Sequence, residues 1–405
     1  MKETFIIVTG DAYPEENAGA VRTHVFAKIL SELGYSPFII GMGNPTSFQI
    51  KEHDGIPYCS LRYARKDLFS KLASRVLFGY NVKKAAKHCD MSQIEGIMYV
   101  SGGGVVLRYV KKLSKQYGIP LYFDSVEWYS PSEFRMGVFS PAYIANNHLN
   151  TYGIDRNFRV FSISTFLEDH FNKRGISTVR IPVIMDVQSM SACETREVSD
   201  TSDKIRIVYA GSPGKKDHLS ELVEAIALLS AEEQNKIDFH VIGMTLEKYL
   251  QTYAIASADE IPKSVVFDGR KPRSEVLRQV AGSDFAFLLR PSDERYAKAG
   301  FPTKVVESLS LGTPMLCNLS SDLAIYLKDG ENSILINDCS ADACCSALRR
   351  ILALSREQIN CMRLSARKTA EDAFDWRKYK EEVSMFIKKA IEMSAFLRQT
   401  RENSR

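Results

Sequence analysis

The chain has 405 residues, of which 45% are hydrophobic and 25% charged, and a net charge of +4. This composition is typical of a globular protein with two or three domains, and so small a charge gives no indication of a nucleic-acid partner. The sequence has no run approaching the roughly 20 apolar residues that span a bilayer. The apolar run TFIIV near the N-terminus predicts a strand, not a signal sequence.

The eight cysteines form no CxxC pair and no Cys/His cluster with metal-ligand spacing. We therefore expect reduced cysteines that mostly pack in the protein interior. The sequence predicts no metal site and a cytoplasmic protein.

The first half of the chain alternates short apolar runs with segments of helical periodicity, which predicts βαβ units. Strands are expected at Thr4–Val8, Ser36–Ile40, Ile97–Ser101, Pro120–Ser125 and Arg159–Ser164. Helices are expected over residues 20–33 and 104–117 and between Ser164 and Arg174.

Residues 186–204 are polar and without periodicity, which indicates a domain boundary. The alternation then restarts, with strands expected at Ile205–Gly211, Ile237–Gly243, Val265–Gly269, Phe285–Arg290 and Pro314–Asn318. Helices are expected over residues 217–230, 274–282 and 302–311. We predict a domain 1–186, a linker 187–204, a domain 205–375 and a helical segment 376–405 that could pack back on either domain.

This alternation predicts the α/β class, with two Rossmann-like, doubly wound domains built on parallel sheets. A ligand is expected at the carboxyl ends of the strands, in a cleft between the domains.

Three segments carry candidate chemistry. In TGDAYPEENAGA, Gly19 precedes the first helix and can bring the backbone close to a phosphate or sugar, although an ordinary βα loop has the same pattern. In AGSPGKKD, Lys215 and Lys216 place two cations at a helix start, where they could hold a diphosphate or simply be solvated.

The third segment, residues 288–318, has the richest pattern. An 11-residue polar loop follows Arg290, and Pro302 presets the first turn of a helix. Backbone N–H groups near Gly300 and Phe301 can donate hydrogen bonds to an anion. Glu307 lies on the helix, where its carboxylate could accept hydrogen bonds from two ribose hydroxyls or could remain a solvated surface charge.

The run PTKVVESLSLGTPMLCNLSSDLAIYLKDGENSILI resembles the donor-nucleotide motif of family 4 retaining glycosyltransferases, which have the GT-B fold. YAGSPGKKDHLSELVEAI resembles the family's phosphate-lysine segment. The opening IIVTGDAYPEENAGAVRTHVFAKILSELGY is similar to its N-terminal acceptor loop, and ISTFLEDHFNKRG with VRIPVIMD to the end of its first domain. The four segments occur in the family's order and cover nearly the whole chain.

The resemblance implies that Glu307 holds the ribose and that Lys216, assisted by Lys215, neutralises the β-phosphate. Amides of Gly300 and Phe301 would contact the donor, and Gly19 would keep the first loop close to it. The remaining residues of the implied donor site lie at strand ends or at a helix start: Gly211, Arg290, Thr303 and Lys304.

The resemblance also implies a retaining hexosyltransferase that needs no metal or cofactor and uses a UDP- or GDP-sugar. The acceptor would be a glycan or a polyprenyl-diphosphate-linked glycan, in surface polysaccharide or glycolipid synthesis.

Two departures concern the donor site. Ala299 stands where the family often has a glutamate. The family commonly has an arginine shortly before the phosphate lysine, and the segment AGSPGKK has none, so Arg290 or Lys215 could substitute for it.

A third departure concerns the loop after LYFDS, where many members have a histidine and this chain reads DSVEWYSP. Glu127 occupies that place as a candidate catalytic carboxylate, with Asp124 nearby and Trp128 available to stack on a sugar. A loop carboxylate bound to a backbone N–H has the same pattern.

Residues 61–89 contain eight basic residues and one acid, with apolar residues at helical spacing. The basic residues are Arg62, Arg65, Lys66, Lys71, Arg75, Lys83, Lys84 and Lys87. A second basic cluster, which contains no acidic residue, consists of Arg108, Lys111, Lys112 and Lys115. The pattern is typical of peripheral contact with an anionic membrane, here the inner face of the plasma membrane, and equally of a helix with a solvated face.

Two other functions stay open at this stage. One is a nucleotide-sugar epimerase of the same fold, which the small number of histidines, seven in all, disfavours. The other is a non-catalytic partner subunit of a transferase, which Ala299 and the missing histidine keep open.

Overall fold

The computed structural model describes residues 3–14, 17–43, 48–62, 68–86, 88–192, 204–211 and 216–402. The chain divides into two compact units, Met1–Met185 with Trp376–Arg405, and Asp186–Asp375. Among the described residues, no helix is both long and apolar enough to span a bilayer.

The first unit contains an eight-stranded sheet. Its strands are β1 (Thr4–Ala12), β2 (Ser36–Gly43), β3 (Ile50–His53), β4 (Ile56–Arg62), β5 (Ile94–Tyr99), β6 (Leu121–Ser125), β7 (Phe158–Ser162) and β8 (Ser177–Arg180). Its helices before the second unit are α1 (Ala18–Glu32), α2 (Leu68–Ala86), α3 (Gly104–Tyr117), α4 (Pro141–His148) and α5 (Thr165–Lys173).

The strand order is β3-β4-β2-β1-β5-β6-β7-β8, and the described pairs are parallel except for β3 with β4. The chain leaves β1 first toward β2 and later returns to its other side at β5. The topological switch point of this sheet therefore lies between β1 and β5.

The second unit contains a six-stranded sheet. Its strands are β9 (Ile205–Ala210), β10 (Ile237–Ile242), β11 (Val265–Gly269), β12 (Phe285–Leu288), β13 (Met315–Cys317) and β14 (Ser333–Leu335). Its helices are α6 (Leu219–Ala227), α7 (Ala231–Asn235), α8 (Leu246–Tyr253), α9 (Arg273–Ala281), α10 (Arg295–Ala299), α11 (Thr303–Ser310), α12 (Ala341–Leu352) and α13 (Arg356–Ala373). The last helix of the chain, α14 (Lys380–Glu402), belongs to the first unit.

All described strand pairs of the second sheet are parallel, in the order β11-β10-β9-β12-β13-β14. The switch point lies between β9 and β12, where a ligand is expected at the carboxyl ends of the strands. The predicted α/β class with two units built on parallel sheets is confirmed.

Each unit has its own apolar core. In the first unit, Phe5 of β1 and Phe26 of α1 are buried together with Trp376 and Ile387 from the end of the chain. Because these two late residues fill the core of the first unit, the chain returns to that unit after completing the second. The resemblance implies that the predicted domain 1–186 binds the acceptor and that the predicted domain 205–375 binds the nucleotide-sugar, and these two roles stay predictions.

The elements that the sequence did not predict include the β3–β4 hairpin and α10. The β3–β4 hairpin was not predicted, although Asp54 and Gly55, with φ of 49° and 75°, form the kind of Asp-Gly turn that joins antiparallel strands. The polar loop expected after Arg290 contains α10. Both elements are too short to give a clear periodicity.

Two glycines allow the ends of β9 and β10 to approach each other. A Cβ on Gly243, whose φ is 102°, would lie 1.9 Å from the carbonyl oxygen of Gly211. We expect Gly243→Ala to lower the free energy of unfolding by about 2–4 kcal/mol, because backbone strain and overpacking add together. The measurement is urea unfolding followed by circular dichroism.

Gly330→Ala is the matched control. Gly330 has a φ of 77°, but nothing lies within 4 Å of its added Cβ, so only the backbone strain of about 1–2 kcal/mol is expected. Equal losses in the two variants would contradict the close approach of β9 and β10.

Candidate functional site

The centre of the candidate site is Asp217, between the end of β9 and the start of α6. Its carboxylate is buried, with 3% of the residue exposed. It accepts hydrogen bonds from the Tyr209 hydroxyl at 2.6 Å, Arg290 Nε at 2.7 Å and Lys304 Nζ at 2.5 Å. Burial would raise the pKa of Asp217, but Lys304 and Arg290 outweigh it and hold the pKa well below its usual range.

Asp217 therefore fixes two cations at the switch point between β9 and β12. One carboxylate with one ammonium and one guanidinium leaves the cluster with a charge of +1. Burial lowers the pKa of Lys304, and the attraction of Asp217 acts against this shift. Sequence reasoning missed Asp217, because an acid beside two lysines in a turn gives no indication of its partners.

Gly211 makes room for this cluster. A Cβ at Gly211 would lie 2.4 Å from Cε and 2.7 Å from Nζ of Lys304. The absence of a side chain lets Lys304 lie across the end of β9, where its Nζ is also 4.2 Å from the centroid of the Tyr209 ring.

Arg290 is fixed through its backbone as well as its side chain. Its N–H donates to Asn318 Oδ1 at 2.9 Å, and its carbonyl accepts from Asn318 Nδ2 at 2.6 Å. Because Asn318 follows β13, these bonds tie the ends of β12 and β13 together. Arg290, which was predicted to belong to the site for the sugar donor, is thus held in place beside Asp217.

Helix α11 contributes Glu307 to the site in addition to Lys304. Pro302 lies at its N-cap and Thr303 is its first residue, one position later than the predicted start of the helix. Glu307 forms an ion pair with Arg273 at 2.8 Å. Lys304, Glu307 and Arg273 line one cavity together with the end of β9, so a cation and a carboxylate face the same space.

The loop before α6 is described only from Lys216 onward, and Gly214 and Lys215 lie outside the described residues. Lys216 Nζ is 5.3 Å from the centroid of the Tyr296 ring on α10. The Tyr296 hydroxyl donates to the Lys216 carbonyl at 3.5 Å. The predicted phosphate lysine therefore lies next to α10.

The segment before α11 differs from its predicted arrangement. The Gly300 N–H donates to the Tyr296 carbonyl at 3.0 Å and caps α10. Phe301 is buried and packs on Tyr326 and Phe374, with ring centroids 5.7 and 5.8 Å away. These positions have structural roles here, and their predicted contact with a donor stays a prediction.

At the switch point of the first unit, Gly19 lies against Asp11. A Cβ on Gly19 would be 2.5 Å from Asp11 Oδ2, and the same oxygen accepts from the Thr9 hydroxyl at 2.9 Å. Burial raises the pKa of Asp11, Thr9 counteracts this, and the charge of Asp124 adds to the rise. Asp11 is a second candidate carboxylate that sequence reasoning missed.

Asp124 has a structural role. It is buried and accepts from Arg22 Nε at 2.9 Å and from Arg22 Nη2 at 2.9 Å. The same guanidinium donates to the carbonyls of Pro182 at 2.5 Å and Ile181 at 2.9 Å. These bonds connect α1, β6 and the chain after β8.

Glu127 is exposed, and its backbone carbonyl accepts from Asn150 Nδ2 at 3.2 Å. Burial raises the pKa of Tyr129, and its hydrogen bond to Glu127 adds to the rise. The suggestion that Trp128 is available to stack on a sugar was wrong. Trp128 is buried, with its ring centroid 4.3 Å from that of His170 and its indole N–H donating to Asn147 at 3.0 Å.

Residues 194–369 match the model of the family described as glycosyl transferases group 1. A search of curated protein sequences finds no significant match.

Solved structures of similar fold align with nearly the whole chain. Sucrose-phosphate synthase from Thermosynechococcus elongatus is 14% identical, with a TM-score of 0.72 over 97% of this chain and 100% of that one. Anabaena HepE in complex with UDP and glucose is 14% identical, with a TM-score of 0.66 over 96% and 100%. Trehalose 6-phosphate synthase from Burkholderia multivorans is 11% identical, with a TM-score of 0.67 over 98% of both chains. The chain therefore has the GT-B fold that the resemblance in the sequence predicted, and its residues 194–369 are similar to the glycosyl transferases of group 1.

Proposed function

We propose that this protein transfers a hexose, with retention of configuration, from a UDP-sugar to a glycan or a lipid-linked glycan. The observation that carries the proposal is the pair of cations, Lys304 and Arg290, that Asp217 fixes at the switch point of the second sheet. A leaving nucleoside diphosphate gains negative charge in the transition state. Cations that are already oriented stabilise that charge without reorganisation.

The other polar groups fit the remainder of a nucleotide. Glu307 lines the same cavity as Lys304 and is the proposed ribose-binding carboxylate. Lys216, together with Lys215, is the proposed second contact to the diphosphate. We propose UDP as the nucleotide because similar structures were solved with UDP and glucose and with UDP-2-fluoro glucose.

The charge arrangement suits a front-face reaction, in which the acceptor attacks on the side of the leaving phosphate. Asp217 is buried and already accepts from three donors, so it is not a free nucleophile. We propose Glu127 and Asp11 of the first unit as the carboxylates that contact acceptor hydroxyls.

A thermal-shift screen of UDP, GDP, ADP and CMP tests the donor assignment. Bound nucleotide raises the melting temperature by mass action, and we expect UDP to give the largest rise. Glu307→Ala should reduce it, because a hydrogen bond to a charged group contributes about 1.5–3 kcal/mol. Exposed Glu331 of the same unit provides the control Glu331→Ala.

Turnover of UDP-glucose with a panel of glycan acceptors then tests the reaction. The anomeric configuration of the product, measured by NMR, tests retention. Epimerised donor in the absence of acceptor would instead indicate an epimerase, and UDP binding without turnover on any acceptor would indicate a non-catalytic subunit.

We also propose peripheral contact between the first unit and an anionic membrane. On α2, Leu77 and Tyr80 are 55% and 65% exposed beside exposed Lys83 and Lys84. The other basic residues predicted for this face, or their side chains, lie outside the described residues: Arg62, Arg65, Lys66, Lys71, Arg75 and Lys87.

A second apolar surface supports this contact. Between residues 136 and 152 five large apolar side chains are exposed: Met136, Val138, Phe139, Ile144 and Tyr152. The neighbouring helix α3 exposes Arg108, Lys112 and Lys115. Exposed apolar groups next to cations are typical of proteins that bind the bilayer interface.

Co-sedimentation with vesicles tests this surface. We expect binding to vesicles with anionic lipid that weakens as salt is raised, and weaker binding by Lys83→Gln/Lys84→Gln, since each cation near the surface contributes about 1 kcal/mol. Lys328→Gln, an exposed lysine of the second unit, should bind like the wild type. Binding that does not depend on anionic lipid or salt would contradict the proposal.

A further inference from the structure

A separate cluster of side chains in the first unit joins α1 to the tip of the β3–β4 hairpin. His24 lies on α1, and His53 and Asp54 lie at the hairpin turn. One ligand atom from each of the three side chains lies within 4.8 Å of the others. We propose that His24, His53 and Asp54 bind a divalent first-row transition metal, with Zn²⁺ as the best chemical match.

The His24 ring is already oriented for a metal. Its Nδ1 lies 2.7 Å from the Tyr13 hydroxyl, and its Nε2 lies 3.2 Å from Asp54 Oδ2. Tyr13 is itself fixed, since it is buried and its N–H donates to the Met42 carbonyl at 3.0 Å. In one tautomer Nε2–H donates to the Asp54 carboxylate and Nδ1 accepts from the Tyr13 hydroxyl. In the other, Nδ1–H donates to the Tyr13 oxygen and Nε2 is available to bind a metal.

The hairpin brings the other two ligands to the same place. The centroid of the His53 ring is 5.0 Å from that of His24, and the register pairs His53 with Ile56 across the two-residue turn. Ligand atoms about 2.0–2.2 Å from a tetrahedral Zn²⁺ lie about 3.3–3.5 Å apart. The exposed His53 side chain can rotate to close that difference, and three protein ligands leave the fourth position open.

The ligand set selects the class of metal. Two imidazoles and one carboxylate suit Zn²⁺ and its neighbours in the first transition row, whereas Mg²⁺ and Ca²⁺ prefer oxygen ligands. Lys28 opposes binding, because its Nζ lies 3.6 Å from Asp54 Oδ2 and competes for that carboxylate. Removing this ammonium should therefore tighten the site.

Titration calorimetry with Zn²⁺, on the untagged full chain after chelator treatment, tests the proposal. We expect one saturable site, weakened tenfold or more in His53→Gln and tightened in Lys28→Met. The control is His148→Gln, which removes an exposed histidine of α4 and should bind like the wild type. Co²⁺ absorption, measured in parallel, should show no thiolate bands, which separates this site from the cysteines.

Three outcomes would overturn the assignment. They are the absence of saturable binding, wild-type affinity in His53→Gln, and a Co²⁺ spectrum with thiolate charge transfer.

Discussion

Lys304→Met is expected to lower kcat for sugar transfer from the UDP-sugar by about 10²–10³-fold, the usual effect of removing one preorganised donor from a developing anion. Methionine keeps an unbranched side chain of similar length over the Tyr209 ring, so the packing at the end of β9 changes little. The charge changes instead. Asp217 would then be balanced by Arg290 alone, and the cluster would fall from +1 to 0.

The control is Lys328→Met, which removes a 69% exposed ammonium from the same unit. We expect its kcat and its donor KM to match those of the wild type. Steady-state kinetics with UDP-glucose, alongside melting curves for each variant, separates a loss of catalysis from a loss of folding. A kcat for Lys304→Met within threefold of the wild type would show that this cation does not stabilise the leaving group.

Asp124→Asn is expected to lower the free energy of unfolding of the first unit by about 3–5 kcal/mol, since it leaves a buried cation without its partner. Arg22 is 5% exposed and Asp124 1%. The amide of asparagine cannot balance the guanidinium charge, although it has nearly the shape of the carboxylate. Chemical denaturation followed by the fluorescence of Trp128 and Trp376, both in this unit, measures the effect.

The double variant Arg22→Met/Asp124→Asn tests the cause. Removing both charges should recover part of the lost stability, because no unpaired ion is then buried. A double variant as unstable as the sum of the two single variants would show that the two side chains act independently. Glu32, exposed on α1, provides the neutral control Glu32→Gln.

Much of the fold could be predicted from local pattern. The helix predicted over residues 302–311 is observed at Thr303–Ser310, and the strand predicted at Ile205–Gly211 is observed at Ile205–Ala210. Both segments have clear apolar periodicity and distinct ends, with Pro302 before the helix and Gly312 after it. The local sequence contains all the information that these predictions need.

The parts of the site that were missed depend on contacts between distant positions. Asp217 forms an ion pair with Lys304, which lies 87 residues later in the sequence. Asp124 forms one with Arg22, which lies 102 residues earlier. The proposed metal ligands His24 and Asp54 are likewise 30 residues apart in the sequence. A single sequence gives side-chain type and spacing, but only the fold shows which charges are buried together.

The capping role of the Gly300 amide was missed for a related reason. The segment after Arg290 was read as a loop, so the N–H of Gly300 had no expected partner. In the structure α10 supplies that partner through the Tyr296 carbonyl. A helix of one or two turns gives no resolvable period, so the hydrogen bond of the Gly300 N–H within α10 could not be predicted from the local sequence.

The central claim, that the second unit holds UDP between its cation pair and Glu307, is tested most directly by calorimetric titration of UDP into the wild type and Glu307→Ala. We expect one site per chain in the wild type and an affinity about 10–100-fold lower in the variant, the equivalent of one lost charged hydrogen bond. Equal affinities in the two proteins, or no UDP binding by the wild type, would contradict the claim.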